Sequence, residues 1–79
     1  MLIINVQKIL RKCNVDNLFQ LSKMFGWTSK TVYKYDHPER VKALFLDTLS
    51  QIVKEIARQK KIDPLNVKIG DIFDWKDEL

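Results

Sequence analysis

The chain contains few residues of the kinds that build cofactor sites, covalent crosslinks or disordered segments. Its 79 residues include one cysteine, one histidine, two glycines and two prolines. A single cysteine excludes an intrachain disulfide, and with a single histidine it excludes a zinc site built from soft protein ligands. The scarcity of glycine and proline argues against low complexity and disorder. We therefore predict no cofactor and a single folded domain over residues 1–79.

Long apolar runs are also absent. The opening residues MLIIN are apolar, but they have no basic flank and are too short for a secretion signal. The last four residues, Lys76–Leu79, spell KDEL, an address that acts only inside the secretory route. Because nothing at the amino terminus would direct the chain there, we expect the match to be coincidental. The expected location is the cytoplasm, with no membrane partner.

The net charge of +4 is unevenly distributed along the chain. Residues 1–38 carry six basic and two acidic side chains, whereas residues 39–79 carry eight of each. The formal excess therefore lies in the amino-terminal half. This asymmetry is typical of a surface that faces a polyanion, although a solvated basic face without a partner has the same signature.

The apolar pattern predicts a first helix after the opening residues. Val6, Ile9, Leu10 and Cys13 follow the spacing of one helix face, and we expect MLIIN to lead into this helix. Cys13 is then a small core residue.

The stretch from Leu18 to His37 predicts two short helices joined by a turn at Gly26. The first helix has Leu21, Ser22 and Phe25 on its inner face and Asp16 or Asn17 as its cap, while Gly26 permits a sharp turn. Thr28 or Ser29 can cap the second helix, at about residues 29–36. Its inward positions are Val32 and Tyr35, its outward ones are Lys30, Tyr33 and Lys34, and Trp27 is expected in the core.

Two interpretations compete for residues 38–60. One is a single long helix; the other is an irregular connection to about Leu46, followed by a helix that starts at Asp47 or its neighbour and ends near Lys60. We favour the second, because Asp47 and Thr48 offer a local cap. After the turn at Asp63-Pro64, residues 67–75 fit either a short helix capped by Gly70-Asp71 or a strand over residues 67–72.

The predicted helix-turn-helix contains five residue pairs that are similar to a known pattern: Leu21-Ser22, Phe25-Gly26, Thr28-Ser29, Thr31-Val32 and Tyr35-Asp36. These pairs resemble the phage repressor and Cro-type regulators of the xenobiotic-response-element-like class. The likeness extends through residues 47–53 and 68–73, which are similar to that family's fourth helix and short closing helix. The resemblance implies an all-α fold: a compact bundle of about five helices with a helix-turn-helix, as in lambda-repressor-like DNA-binding domains.

The same resemblance implies a set of DNA-binding residues. Asn17 would contact a phosphate, and Arg40 and Lys42 would contact the backbone from the following loop. The groove-facing residues of the recognition helix would be Thr28, Ser29, Lys30, Tyr33 and Lys34.

Two features depart from the family pattern. Leu18 stands where the family often has Gln or Thr at the start of the first helix of the helix-turn-helix. The segment 57–68 contains several more residues than the family needs, and these can extend the fourth helix.

The chemistry of the recognition helix fits the major groove. Lysine can donate to the acceptors of guanine, and the methyl group of Thr28 can meet thymine. For Tyr33 a phosphate or sugar contact and a half-buried structural prop are both open. Trp75 can cover the core or lie in a dimer interface.

The expected function is sequence-specific binding of double-stranded DNA by a phage or bacterial repressor or Cro-like transcriptional regulator, as a homodimer on a palindromic operator. The alternative is a protein-interaction module, such as an antirepressor or antitoxin component, that keeps the fold without reading DNA. An enzyme is disfavoured, because His37 lies beside Pro38 and the chain has no glycine-rich phosphate loop and no acid pair near a nucleophile.

Overall fold

The computed structural model describes residues 1–77, which form four α-helices and a small two-stranded sheet. Three short 3-10 turns lie at Pro38–Arg40, Pro64–Asn66 and Ile69–Asp71. In chain order the strands and helices are β1 (Leu2–Ile4), α1 (Val6–Lys12), α2 (Leu18–Phe25), α3 (Ser29–Asp36), α4 (Leu46–Lys60) and β2 (Phe73–Trp75).

The sheet joins the two ends of the chain and contradicts the predicted all-α fold. β1 and β2 are antiparallel, with Leu2 opposite Trp75 and Ile4 opposite Phe73. The opening residues therefore form a strand, and Asn5, which follows it, caps α1. Two β-branched residues in sequence, Ile3 and Ile4, suit an extended backbone, and only a distant partner strand satisfies its hydrogen bonds.

The predicted fifth helix is also wrong. Where the resemblance implied a closing helix over residues 68–73, the chain makes a single 3-10 turn, Ile69–Asp71, before it enters β2. The Asp71 carboxylate accepts a hydrogen bond from the backbone N–H of Lys68 and fixes this turn. The strand expected over residues 67–72 lies instead at Phe73–Trp75. The fold is thus four helices and a terminal sheet, not a five-helix bundle.

The core lies where α1, α2, α3 and α4 meet the sheet. The predicted stripe of α1 is buried in full, and the aromatic ring of Tyr35 and the small side chain of Ser22 are buried with it. Burial raises the pKa of the Cys13 thiol to about 11, so this cysteine is a neutral core residue as predicted. The buried apolar cluster comprises Ile4, Val6, Ile9, Leu10, Cys13, Leu21, Tyr35, Ile52, Ile56 and Ile72.

The second interpretation of residues 38–60 is confirmed. An irregular connection that includes the 3-10 turn Pro38–Arg40 precedes α4, which begins at Leu46 and ends at Lys60. Asp47 does not cap this helix but lies in its first turn, where a negative charge interacts favourably with the helix dipole. Lys61 ends the helix with a left-handed backbone, so the extra residues lengthen α4 only as far as Lys60.

Within residues 1–77, no helix is both long enough and apolar enough to cross a membrane. The KDEL tetrapeptide extends into Glu78 and Leu79, which lie outside the described residues.

Gly26 and Gly70 form a matched pair for testing the turn between α2 and α3. Gly26 has a φ of +70°, whereas Gly70 lies outside the positive-φ region, and a Cβ atom at either position would meet nothing within 4 Å. Gly26→Ala is therefore expected to lower the free energy of unfolding by about 1–2 kcal/mol, through backbone strain alone. Gly70→Ala is expected to change it by less than about 1 kcal/mol. Chemical denaturation of both variants measures the difference, and equal effects would contradict a special role for the left-handed turn.

Candidate nucleic-acid interface

Side-chain caps and a left-handed glycine fix the α2–α3 pair. The Asn17 carboxamide oxygen accepts from the Gln20 N–H at the start of α2, and the Thr28 hydroxyl accepts from the Thr31 N–H at the start of α3. Between the helices, the N–H of Trp27 donates to the Ser22 carbonyl over 2.9 Å. Of the alternative caps in the sequence, the structure uses Asn17 and Thr28.

Trp27 holds the turn against the core. Its ring centroid lies 5.3 Å from that of Phe25 and 5.0 Å from that of Tyr35. The indole N–H donates to the side-chain oxygen of Gln51 on α4, and the Gln51 amide donates in turn to the Phe25 carbonyl, each over 3.0 Å. The assignment of Trp27 to the fold is confirmed. Sequence reasoning missed Gln51, because nothing in the local sequence distinguishes it from a solvated glutamine.

The outer face of α3 gathers three of the predicted residues. Ser29, Lys30 and Tyr33 are exposed, and Asp36 follows one turn later on the same side. The ring of Tyr33 meets that of His37 edge-on, with centroids 4.8 Å apart. Tyr33 is therefore not a half-buried prop, because 63% of its surface is exposed.

Lys34 differs from the pattern expected for it. Its ammonium donates to the Ala43 carbonyl over 2.9 Å and lies 5.3 Å from the centre of the Phe45 ring. The side chain is half-buried and directed at the connection before α4. Lys34 thus joins α3 to this connection instead of presenting its charge beside Lys30.

Arg40 and Lys42 remain solvent-exposed, as a backbone-contacting role requires. Arg40 ends the 3-10 turn that follows α3, and Lys42 lies two residues further on. Asn17 and Thr28 are exposed as well, but their oxygen atoms are already used as caps. For Asn17 this leaves the amide nitrogen as the group that would donate to a phosphate.

Ion pairs remove part of the basic excess that the sequence places in the amino-terminal half. Lys8 on α1 pairs with Asp74 of β2, and Lys12 on α1 shares Asp71 with Lys60 of α4. Hydrogen bonds from Lys8 and Asn5 lower the pKa of Asp74, so its carboxylate is charged at neutral pH. The ion pairs therefore offset part of the positive charge of α1, whereas Lys23, Lys30, Arg40 and Lys42 on α2, α3 and the following connection are exposed.

A groove of about 610 Å³ runs between α2 and α3 on the outer side of the pair. Phe19 and Tyr33 lie along it, together with Lys23, Ser29 and Val32. The ammonium of Lys23 is 4.7 Å from the centre of the Phe19 ring, within cation–π distance. Sequence reasoning gave Phe19 no role. The sequence feature that could have indicated a role for Phe19 is a large apolar residue at an outward position of an amphipathic helix.

Among residues 1–77, the His, Cys, Asp and Glu side chains form no group of three that could hold a metal ion.

A scan against protein-family models, a search of curated proteins and a search of solved structures each found no match to this chain.

Proposed function

We propose that the protein is a sequence-specific regulator of transcription that binds double-stranded DNA through α2 and α3. In this proposal α3 lies in the major groove and α2 crosses the DNA backbone, as in repressor and Cro-type helix-turn-helix proteins. The proposal includes no catalytic activity and no cofactor. It places the protein in the cytoplasm of a bacterium or of a phage-infected cell.

One observation carries the proposal: the inner side of α3 is held by aromatic packing, and its outer side is exposed to solvent. Trp27 and Tyr35 anchor the inner side, while Ser29, Lys30 and Tyr33 stand on the outer side. A helix that reads base edges needs this arrangement, because its position must be set by the fold before its side chains can discriminate.

The distribution of free charge also supports DNA as the partner. Lys30, Arg40 and Lys42 are exposed on α3 and on the connection after it. Basic side chains beside a recognition helix can contact phosphates and set the register of the protein on the duplex. In contrast, Lys8 and Lys12, whose charges are partly offset by ion pairs, lie on α1.

Binding as a homodimer is part of the proposal. A single domain of this size makes few base contacts, so two copies on half-sites about one helical turn apart would supply the affinity. Trp75 does not cover the core: it is 71% exposed and lies opposite Leu2 at the edge of the sheet. These two side chains offer apolar surface to a second copy, and sizing the protein with and without DNA tests the stoichiometry.

Lys30→Ala tests the assignment of α3, with Lys54→Ala as its matched control. Both lysines are exposed and helical, but Lys54 lies on α4. On a duplex selected from a random pool, we expect Lys30→Ala to weaken binding by about tenfold and Lys54→Ala by less than about twofold. Fluorescence anisotropy over a range of salt concentrations measures both variants.

The salt dependence separates the two possible roles of Lys30. A phosphate contact would lower the slope of log K against log salt by about 1 and weaken all duplexes equally. A base contact would instead relax the preference at one position of the site. Wild-type affinity of Lys30→Ala, with the fold intact by circular dichroism, would show that α3 is not the recognition helix.

A protein-interaction module is the second candidate function, and exposed apolar side chains favour it. Phe45 and Leu46, at the start of α4, are about three-quarters exposed. Large exposed apolar residues mark protein-binding surfaces more often than DNA-binding ones. Retention on heparin and on calf-thymus DNA at low salt distinguishes the candidates, because only the DNA-binding function predicts that both matrices hold the protein.

A further inference from the structure

The outer face of α3 is poor in side chains that read bases by hydrogen bonds. Its sequence, SKTVYKYD, contains no Arg, Asn or Gln. Arg paired with guanine, and Asn or Gln paired with adenine, are the bidentate contacts by which recognition helices discriminate bases. Lys34 is drawn to the Ala43 carbonyl, so Lys30 is the basic residue of α3 that remains available. Hydrogen bonding from α3 therefore provides little discrimination among base pairs.

The same face carries aromatic surface instead. Phe19 of α2 is 62% exposed and Tyr33 of α3 is 63% exposed, and both line the groove between the two helices. The edge-on contact with His37 supports the Tyr33 ring from the carboxyl end of α3. The Lys23 ammonium lies over the Phe19 ring. Both rings thus contact one neighbouring side chain and leave a large part of their surface open to solvent.

The major groove offers one apolar group for such rings to contact. Thymine carries a C5-methyl group there, whereas the other three bases present hydrogen-bond donors and acceptors without a methyl group. An aromatic side chain that covers this methyl removes apolar surface from water on both sides of the contact. Thymine is therefore the base that exposed rings on a recognition surface would select.

We propose that Tyr33, assisted by Phe19, is a specificity-determining residue that reads thymine through its C5-methyl group. This inference rests on the proposed DNA-binding function and goes beyond it, by naming the base and the side chains. The half-site then contains at least one thymine whose methyl group packs against Tyr33. Ser29 and Lys30 contact the neighbouring base edges or phosphates.

Replacing thymine with uracil tests this directly, because uracil lacks only the methyl group. In a duplex selected by the wild-type protein, each thymine is replaced in turn by deoxyuridine, and affinity is measured by fluorescence anisotropy. We expect about a fourfold loss at one or two positions of each half-site, the value for one buried methyl group. Positions outside the reach of Tyr33 should show no loss.

Three variants assign the effect to a side chain. Tyr33→Ala should bind the thymine duplex more weakly and should no longer distinguish thymine from uracil at the sensitive position. Tyr33→Phe keeps the ring and should keep the fourfold difference, which excludes a hydrogen bond from the hydroxyl as its source. Lys30→Ala, the matched control on the same face, should bind more weakly but retain the difference. Because Tyr33 is exposed, these substitutions should leave the fold unchanged, which thermal unfolding checks.

The outcomes separate this inference from the function on which it rests. If the wild-type protein selects a duplex but no uracil substitution weakens binding, the methyl contact is refuted and DNA binding stands. A uracil effect that persists in Tyr33→Ala would likewise refute the assignment to Tyr33. If no duplex is selected from the pool, the proposed function fails and the inference fails with it.

Discussion

Ile56→Ala is expected to lower the free energy of unfolding by about 4 kcal/mol, the largest effect of any substitution considered. Ile56 and its neighbour Ile52, one turn earlier on α4, are 0% exposed at the centre of the core. Truncation to alanine loses the transfer free energy of three carbon atoms and leaves a cavity that the close-packed surroundings fill only in part. Domains of this size have a total stability of about 4–12 kcal/mol, so the substitution removes between about a third and all of it.

Leu65→Ala is the control for this prediction. It removes the same number of carbon atoms from a side chain that is 94% exposed in the 3-10 turn Pro64–Asn66. Its expected effect is less than about 0.5 kcal/mol. Urea denaturation followed by circular dichroism compares the two variants with the wild type. Similar midpoints for all three proteins would contradict the burial of Ile56.

Asp71→Asn is expected to destabilise the protein by about 2 kcal/mol at neutral pH. Asp71 is a buried carboxylate that accepts from the Lys60 ammonium over 2.8 Å and from the Lys68 N–H over 3.1 Å, with the Lys12 ammonium 3.6 Å away. Hydrogen bonds to a charged group contribute more than neutral ones, and the amide leaves the two lysines without their counter-ion. Asp16→Asn, on an exposed aspartate, is the control and should have almost no effect.

The pH dependence of this effect follows from the direction of the pKa shift. The hydrogen bond from Lys60, with those from Lys68 and the nearby charges, holds the pKa of Asp71 below its usual range in the folded state. The stabilisation is fully present above the unfolded pKa of about 3.9 and is lost as the pH falls through the lower folded value. We therefore expect the difference between wild type and Asp71→Asn to be constant from pH 7 to about pH 5 and to shrink below pH 4. A difference that stays constant down to pH 2 would show that the carboxylate charge is not responsible.

These ion pairs involve none of the residues proposed to bind DNA. Asp74 pairs with Lys8 of α1, and Asp71 pairs with both Lys12 of α1 and Lys60 of α4, so that these contacts tie the segment around β2 to the helices. The α2–α3 side keeps exposed basic residues, which a polyanion can bind. Asp71→Asn should therefore reduce stability without reducing DNA affinity at neutral pH, whereas Lys30→Ala should do the reverse.

The candidate site was predictable wherever a residue acts on its immediate neighbours. Asn17 and Thr28 cap helices because their short polar side chains reach an N–H three residues later, and Gly26 turns the chain because it tolerates a positive φ. The position of Trp27 followed from its place after the turn. The roles of Lys34 and Phe19 did not, since they depend on where the connection before α4 lies and on the packing between α2 and α3.

The sequence by itself determined the four α-helices, the caps at Asn17 and Thr28, and the apolar face of α1 that is buried in the core. Each of these depends on interactions within about four residues or on a periodicity that the chain displays directly. Only the tertiary structure decided that Leu2–Ile4 is a strand, because its hydrogen-bonding partner, Phe73–Trp75, lies about 70 residues away. It also decided which lysines form ion pairs. Folding brings Asp74 beside Lys8 and Asp71 beside Lys12, although these carboxylates lie more than 50 residues further along the chain.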